Sequence, residues 1–383
     1  MAATDSYTGG DGRLSPLSTP SATRAVLEAH GIGTKYTLGQ NFLVNDDVLK
    51  KIIALAEVGE NDRVLEVGPG IGTLTIALLK HAASVIAIER DPDLPAVLAD
   101  TLHPWREKFA LIEKDALDVT RDDIVSVAST MVEPGGDAGC PDRASSAANE
   151  TAQWAVSQSE DCLSESGYPA SPPQEDLQLS LPSKLVANLP YAVAATVVLD
   201  YFESFPFLDS ATIMVQKEVA DRMVAAVGTK NYGAYTVKLG LYAEPVGRFA
   251  VGPGNFFPPP RVDSAVIRLN RRVPLMADGA PASPEVIAAA ALMADAAFTN
   301  RRKTIANSCK TYFSGRGPIL LGVADSSAAE GAPTIALPDG AATAERLPAI
   351  FEAAAIDPRR RGETLTQQEF LALGAALLKV TAA

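Results

Sequence analysis

Apolar positions 48, 49, 52, 53 and 55 in "NDDVLKKIIALAEV" recur at helical spacing behind an Asn/Asp start, which predicts an amphipathic helix. Short apolar runs then alternate with further helical stretches. "RVLEVG" reads as a buried strand and "TLTIALLKHA" as a helix, with a glycine-rich turn between them. Strand "SVIAIE", a helix after Pro92 and strand "FALIEKDAL" continue the series. Beyond residue 183 come strand "KLVANLP", helix "AATVVLDYFES", strand "ATIMVQ" and helix "KEVADRMVAAV". The runs "YTVKLGLYAEPVGRFAV" and "VDSAVIRLN" are expected to complete the sheet. Such alternation predicts an α/β protein with a doubly wound, largely parallel sheet. From Pro284 the pattern turns helical and Ala-rich, through "PEVIAAAALMADAAF", "RRKTIANSCKTYF", "AERLPAIFEAAAI" and "TQQEFLALGAALL". A smaller α-helical domain is therefore expected at the C-terminal end, over residues 281–383.

Two segments break the pattern. Residues 120–183 form a Ser-, Ala-, Gly-, Pro- and Glu-rich insertion, and residues 315–342 a Gly/Ala/Pro-rich one expected to be a mobile loop. The polar first 23 residues read as a disordered tail without the apolar core of a signal peptide. The sheet domain is then expected over residues 24–272.

Charge changes the picture only once it is located. The 383 residues carry a formal charge of −13, which argues against a phosphate-rich partner, since such binding rests on Lys and Arg. Yet Arg121 to Ser183 holds eleven Asp and Glu against two Arg, leaving −4 for the rest of the chain. Basic clusters stand at Arg301-Arg302-Lys303 and Arg359-Arg360-Arg361. No apolar run is long enough for a membrane span, so a cytoplasmic protein is expected. The three cysteines, Cys140, Cys162 and Cys309, lack metal-ligand spacing; neither a disulfide framework nor a metal site is predicted.

The chemistry starts in "VLEVGPGIGTLT". Gly68, Gly70 and Gly72 lie between a strand and a helix, where glycine lets the backbone approach a ligand closely. The spacing is GxGxG, not the GxGxxG of dinucleotide binders, and Glu66 precedes it. The next strand ends in Glu89, suited to a ribose diol, and the third in Asp115, suited to an exocyclic amine. Each element alone is often only a turn or a helix cap. In this order they resemble the S-adenosyl-L-methionine pocket of class I methyltransferases, which implies a Rossmann-like sheet. A nicotinamide dehydrogenase is the other reading, but His30, His81 and His103 all fall early and leave the later strands without an acid or base.

Asn188-Leu189-Pro190-Tyr191 ends the fourth strand of the series, where open α/β sheets bind ligands. An adenine N6 is a poor nucleophile because its lone pair is delocalised into the ring. If the Asn188 side-chain carbonyl and the Leu189 backbone carbonyl accept both amine hydrogens, that lone pair is aimed at a methyl donor without a general base. Tyr191 would stack on the extruded base. The bland alternative is an ordinary strand-end turn with a packing tyrosine.

With "LGQNFL", "LEVGPGIGTLT", "NLPY", "MVQKEVADRM", "FFPPPRVDSAV" and "FTNRRKTIANS" in this order, the chain resembles the KsgA family, the small-subunit (16S) ribosomal RNA adenine N6,N6-dimethyltransferases. The likeness spans residues 34–118, 183–270 and 284–378. It implies that Asn41, Leu43, Gly68, Glu89, Asp115 and Asn188 line a pocket for S-adenosyl-L-methionine. It assigns Asn188, Leu189, Pro190 and Tyr191 to the reacting amine, and sets Phe256 on the target adenine opposite Tyr191. It gives Arg301, Arg302 and Lys303 to RNA phosphates. It further implies a monomer acting on two adjacent adenines of the 3′-terminal hairpin loop of 16S rRNA during small-subunit biogenesis. Two departures stand out: only Lys35 remains of a basic pair before "GQN", and Lys114 precedes Asp115 where Gly or Gln is common. Relatives that methylate large-subunit RNA and confer macrolide resistance share the "NLPY"-like chemistry. A non-catalytic assembly-checkpoint role is the alternative from another class.

Overall fold

A computed structural model describes residues 12–33, 40–131, 181–322 and 334–382. The core of "NDDVLKKIIALAEV" folds as α2 (Asp46–Ala56), with the Asn45 side chain accepting from the Asp47 and Val48 amides as an N-cap. α1 (Pro20–Ala29) and the two-residue strand β1 (Phe42–Leu43) precede it. The chain then alternates through β2 (Arg63–Val67), α3 (Thr73–Leu79), β3 (Ser84–Glu89), α4 (Leu94–Thr101), β4 (Phe109–Glu113) and α5 (Arg121–Thr130). It resumes with β5 (Lys184–Asn188), α6 (Ala194–Ser204), β6 (Ser210–Gln216), α7 (Lys217–Met223), α8 (Ala234–Tyr242), β7 (Ala243–Val251), β8 (Phe256–Phe257) and β9 (Ser264–Arg271). Seven strands make one sheet in the order β4-β3-β2-β5-β6-β9-β7. The first five are mutually parallel, and β9 runs antiparallel to both β6 and β7.

Both faces of this sheet are buried, which is why its strands read as apolar runs instead of alternating. Successive side chains point to opposite faces. Val64, Val85, Val186 and Met214 therefore pack with the helices α1 to α4, while Leu65, Ile86, Leu185 and Ile213 pack with α5 and α6.

The helical domain comprises α9 (Pro284–Phe298), α10 (Ile305–Ser314), α11 (Gly340–Ala353) and α12 (Gln367–Ala382), with α9 against α12 and α10. Its core also takes in Tyr232 and Val237, whereas Leu239, two residues on in α8, belongs to the sheet core. α8 thus serves both bodies. No helix among the described residues is long and apolar enough to cross a membrane.

Several boundaries differ from the sequence expectation. The polar tail does not extend to residue 23: Leu17 is 1% exposed, and Asp46 accepts from the Leu14 and Ser15 amides. One buried leucine and a carboxylate at a helix start suffice to tie that segment down. The acidic insertion begins later than residue 120, because α5 is helical behind a Thr120/Asp123 capping box and buries Ile124 and Ala128. Its remainder, residues 132–180, lies outside the described residues, as do residues 34–39 with Lys35. The expected loop at 315–342 contains an antiparallel pair, β10 (Pro318–Gly322) with β11 (Thr334–Asp339), and α11 already starts at Gly340. "YTVKLGLY" is helical in α8, and only "AEPVGRFAV" joins the sheet.

Candidate active site

From β2 the chain winds outward through β3 and β4, then returns to the other flank of β2 as β5 and β6. That reversal leaves a crevice at the carboxyl ends of the strands. A cavity of about 530 Å³ occupies it. Its lining includes Asn41, Leu43, Gly68, Glu89, Asp115, Asn188, Leu189, Pro190 and Tyr191, which the sequence had scattered over 150 residues.

The turn after β2 is built on left-handed backbone. Gly70 has φ of +61°, and a Cβ there would meet the Phe42 ring at 3.1 Å. Gly68, at φ of +70°, approaches the Pro190 ring, to which a Cβ would come within 3.5 Å. The glycine turn thus packs against Phe42 and Pro190, and its left-handed backbone at both positions favours glycine.

Three carboxyl groups line the side of the cavity made by β2 to β4. Glu89 is 9% exposed; its Oε1 accepts from the Arg90 and Asp91 amides, both at 2.9 Å. Burial raises its pKa, and those amide bonds oppose the rise. Asp115 is held by the Arg90 guanidinium at 2.8 Å and by the Leu117 amide, and the arginine keeps its carboxyl below the usual range. Glu66 is 1% exposed, and its Oε2 has no hydrogen-bond partner among the described residues. Burial, with the nearby Glu89 charge adding to it, pushes Glu66 up to about 8. An unpaired buried carboxylate costs several kcal/mol, so this one keeps its proton instead.

The opposite side, from β5 and β6, is uncharged. Asn188 Nδ2 donates to the Asn41 carbonyl at 3.2 Å. A carbonyl only accepts, so this bond fixes which end of the amide is the NH₂ and leaves Oδ1 free to accept from a ligand. The Leu189 amide donates to the Met214 carbonyl, and the turn closes through the Pro190 carbonyl, which takes the Val193 and Ala194 amides. No described group donates to the Leu189 carbonyl. Tyr191 is anchored by its hydroxyl to Ser264 Oγ, 2.5 Å away, and Ser264 is fully buried. Burial raises the phenol pKa, so Tyr191 stays neutral.

A ligand with a cationic centre, a ribose diol and an exocyclic amine matches this lining in chemistry. It finds carboxyl groups, a backbone cradle without Cβ atoms, and an orphaned buried oxygen on Glu66. S-adenosyl-L-methionine has those features.

The ribosomal RNA adenine dimethylase family model matches residues 33–330. The ribosomal RNA small subunit methyltransferase A of a Geobacillus species is 32% identical over 364 residues, covering 95% of this chain and 98% of the relative. Its counterpart in Enterococcus faecalis is 32% identical over 367 residues, covering 95% and 97%. The chain belongs to the ribosomal RNA adenine dimethylase family. It is a methyltransferase of the Rossmann-like class, and a crystal structure of a dimethyladenosine transferase from Plasmodium falciparum has the same fold. That match has a TM-score of 0.54 at 20% identity, over 88% of this chain and 98% of the other.

Within the family pattern one residue stands elsewhere than expected. Phe256 is 4% exposed, pairs with Leu43 across β1 and β8, and does not line the cavity. The two-residue alternation of β8 turns Phe256 into the core and leaves Phe257 partly exposed, with the Arg24 guanidinium 5.2 Å over its ring.

The basic residues meet where sequence could not show it. The Ile305 amide donates to the Arg360 carbonyl, which sets the two clusters side by side. Arg301 pairs with Glu363 at 2.8 Å, Arg359 with Asp357, and Arg360 with Glu369. Arg302, Lys303 and Arg361 are exposed and make no ion pair among the described residues. Lys114, the departure noted before Asp115, is paired with Asp123. None of the three histidines lines the cavity; His30 meets Asp100, and His81 Nδ1 donates to the Ala77 carbonyl. Cys309 is buried. Among the described residues no His, Cys, Asp and Glu group could hold a metal ion.

Sequence reasoning passed over Gln216, the last residue of β6, which lines the same cavity. Its signal was its place in "MVQKEVADRM", at a helix N-cap where Ser, Thr, Asp or Asn is usual.

Proposed function

We propose that this protein uses S-adenosyl-L-methionine to dimethylate the N6 amines of two adjacent adenines in the 3′-terminal hairpin loop of 16S rRNA, during small-subunit assembly in the cytoplasm. The observation that carries the reading is the anchored Asn188 amide, whose Oδ1 stays free beside an unused Leu189 carbonyl. The names of the curated relatives support the small subunit as the target.

When bound, the cofactor supplies an electrophilic methyl group on a sulfonium. The chain's own part is to bind and orient. Glu89, its Oε1 held by the Arg90 and Asp91 amides, offers its carboxylate to a ribose diol, and Asp115 is kept ionised by Arg90 as an acceptor. Asn188 Oδ1 and the Leu189 carbonyl accept the two amine hydrogens, which draws the nitrogen toward tetrahedral geometry and frees its lone pair. Such fixed dipoles need not reorganise as charge develops. Tyr191, held by Ser264, offers its ring to the extruded base. The proton is lost to solvent after transfer, since no described residue on this side of the cavity is a base. Arg302, Lys303 and Arg361, exposed and without an ion pair among the described residues, suit the phosphates of a folded RNA.

The test is transfer of labelled methyl from S-adenosyl-L-methionine to unmethylated small subunits, large subunits and naked rRNA. Label in small subunits as N6,N6-dimethyladenine at two adjacent positions is expected, with little elsewhere. Dominant labelling of large subunits would move the target to the other subunit. No label anywhere, with cofactor bound, would favour the assembly-checkpoint role.

A further inference from the structure

We infer that Gln216 is a specificity-determining residue that reads the target base, its side-chain amide donating to a ring nitrogen of adenine beside N6. The inference rests on the reading above and goes further along the same wall. Gln216 ends β6, one strand over from Asn188, and its side chain lines the cavity with Tyr191, Ala192 and Val193. In the antiparallel register Gln216 stands opposite Ser264, the residue whose hydroxyl holds Tyr191. Gln216 and the anchored tyrosine therefore share one stretch of the cavity wall.

Gln216 has no structural employment that explains it. It occupies the N-cap of α7 without making a side-chain cap bond, and its amide has no partner among the described residues. Gln216 is half-buried, and its amide is left open to the cavity, where a ligand can meet it. The chemistry of that ligand is narrow. With the N6 hydrogens given to Asn188 and Leu189, adenine keeps two acceptors flanking the amine, N1 and N7, and no further donor on those edges. A glutamine NH₂ meets either one. A site built to bond a ring nitrogen discriminates strongly against a base that lacks it, because its own polar group is then left unmet.

The experiment uses the full chain and small subunits reconstituted from 16S rRNA carrying adenine, 1-deazaadenine or 7-deazaadenine at the target positions. Gln216→Leu, close in size but without the donor, is expected to lower kcat on adenine roughly tenfold, the scale of one lost hydrogen bond to a partly buried group. Cofactor Kd, read by calorimetry, should not change. One of the two deaza substrates should slow the wild type by a similar factor and slow Gln216→Leu no further. Losses that multiply for both analogues, unchanged turnover on adenine, or an equal fall in cofactor affinity would each overturn the inference. A wild-type enzyme that leaves adenine-bearing small subunits unlabelled would instead bring down the parent reading, and this one with it.

Discussion

The two walls of the cavity are made of the same kind of strand end and yet carry opposite chemistry. The wall from β2 to β4 presents Glu66, Glu89 and Asp115; the wall from β5 and β6 presents Asn188, the Leu189 carbonyl, Tyr191 and Gln216. One concentrates carboxyl groups where a cationic nucleoside would lie. The other offers only neutral dipoles, and its one titratable side chain is held further from ionisation by burial. A base on the second wall would take up a proton in acid and lose its acceptor, whereas amides and backbone carbonyls keep theirs at every pH. The difference assigns binding to the charged wall and activation by orientation to the neutral one.

The sharpest way to break this comparison is Asn188→Ala. Removing an acceptor needed at the transition state should cost about 10²-fold or more in kcat, by analogy with loss of an oxyanion-hole donor. Cofactor binding and the melting temperature should stay close to wild type. Near-normal turnover would sink the orientation role.

Glu89→Ala addresses the other wall. A hydrogen bond to a charged acceptor is worth roughly 1.5 to 3 kcal/mol, so cofactor Kd is expected to rise by about tenfold to a hundredfold. Calorimetry that finds the affinity unchanged contradicts the assignment.

Substituting Arg302 and Lys303 together by Ala touches neither wall. Cofactor affinity should hold, while binding to small subunits weakens and its salt dependence flattens by about one unit of slope per lost phosphate contact. An unaltered slope would make the cluster an ordinary solvated surface.

The last effect expected is on stability and leaves turnover aside. Glu66 titrates near 8 in the folded chain against an ordinary value of 4.5, so the fold holds its proton more tightly than the unfolded chain does. That contribution is complete below pH 4.5, declines as pH rises, and is gone above about 8. Glu66→Gln, which keeps the shape without the titration, should melt like wild type at the acid end of that window and higher than wild type at the alkaline end. Parallel melting curves at both ends would mean that Glu66 is not the group responsible.

The alternation of apolar runs with helical periodicity determined the doubly wound sheet, because strands buried on both faces must be continuously apolar. The motif residues likewise declared most of the pocket. Glu89 and Asn188 end strands, Gly68 and Asp115 follow within two residues of one, and parallel strands deliver their carboxyl ends to one edge whatever separates them in sequence. What needed the third dimension were pairings between distant segments. Leu17 became core only once α2 offered Asp46 to hold its neighbours. The two arginine clusters became one surface only where Ile305 meets Arg360, and only there did Glu363 and Glu369 remove Arg301 and Arg360 from it. Phe256 and Phe257 are adjacent and chemically alike, so which of them turns inward was set by the pairing of β8 with β1. Gln216 sits inside the "MVQKEVADRM" motif, but its place in the cavity comes from the strand opposite, where Ser264 holds Tyr191. Local sequence fixes periodicity and strand ends, but a side chain's partner is decided by packing, which no local pattern records.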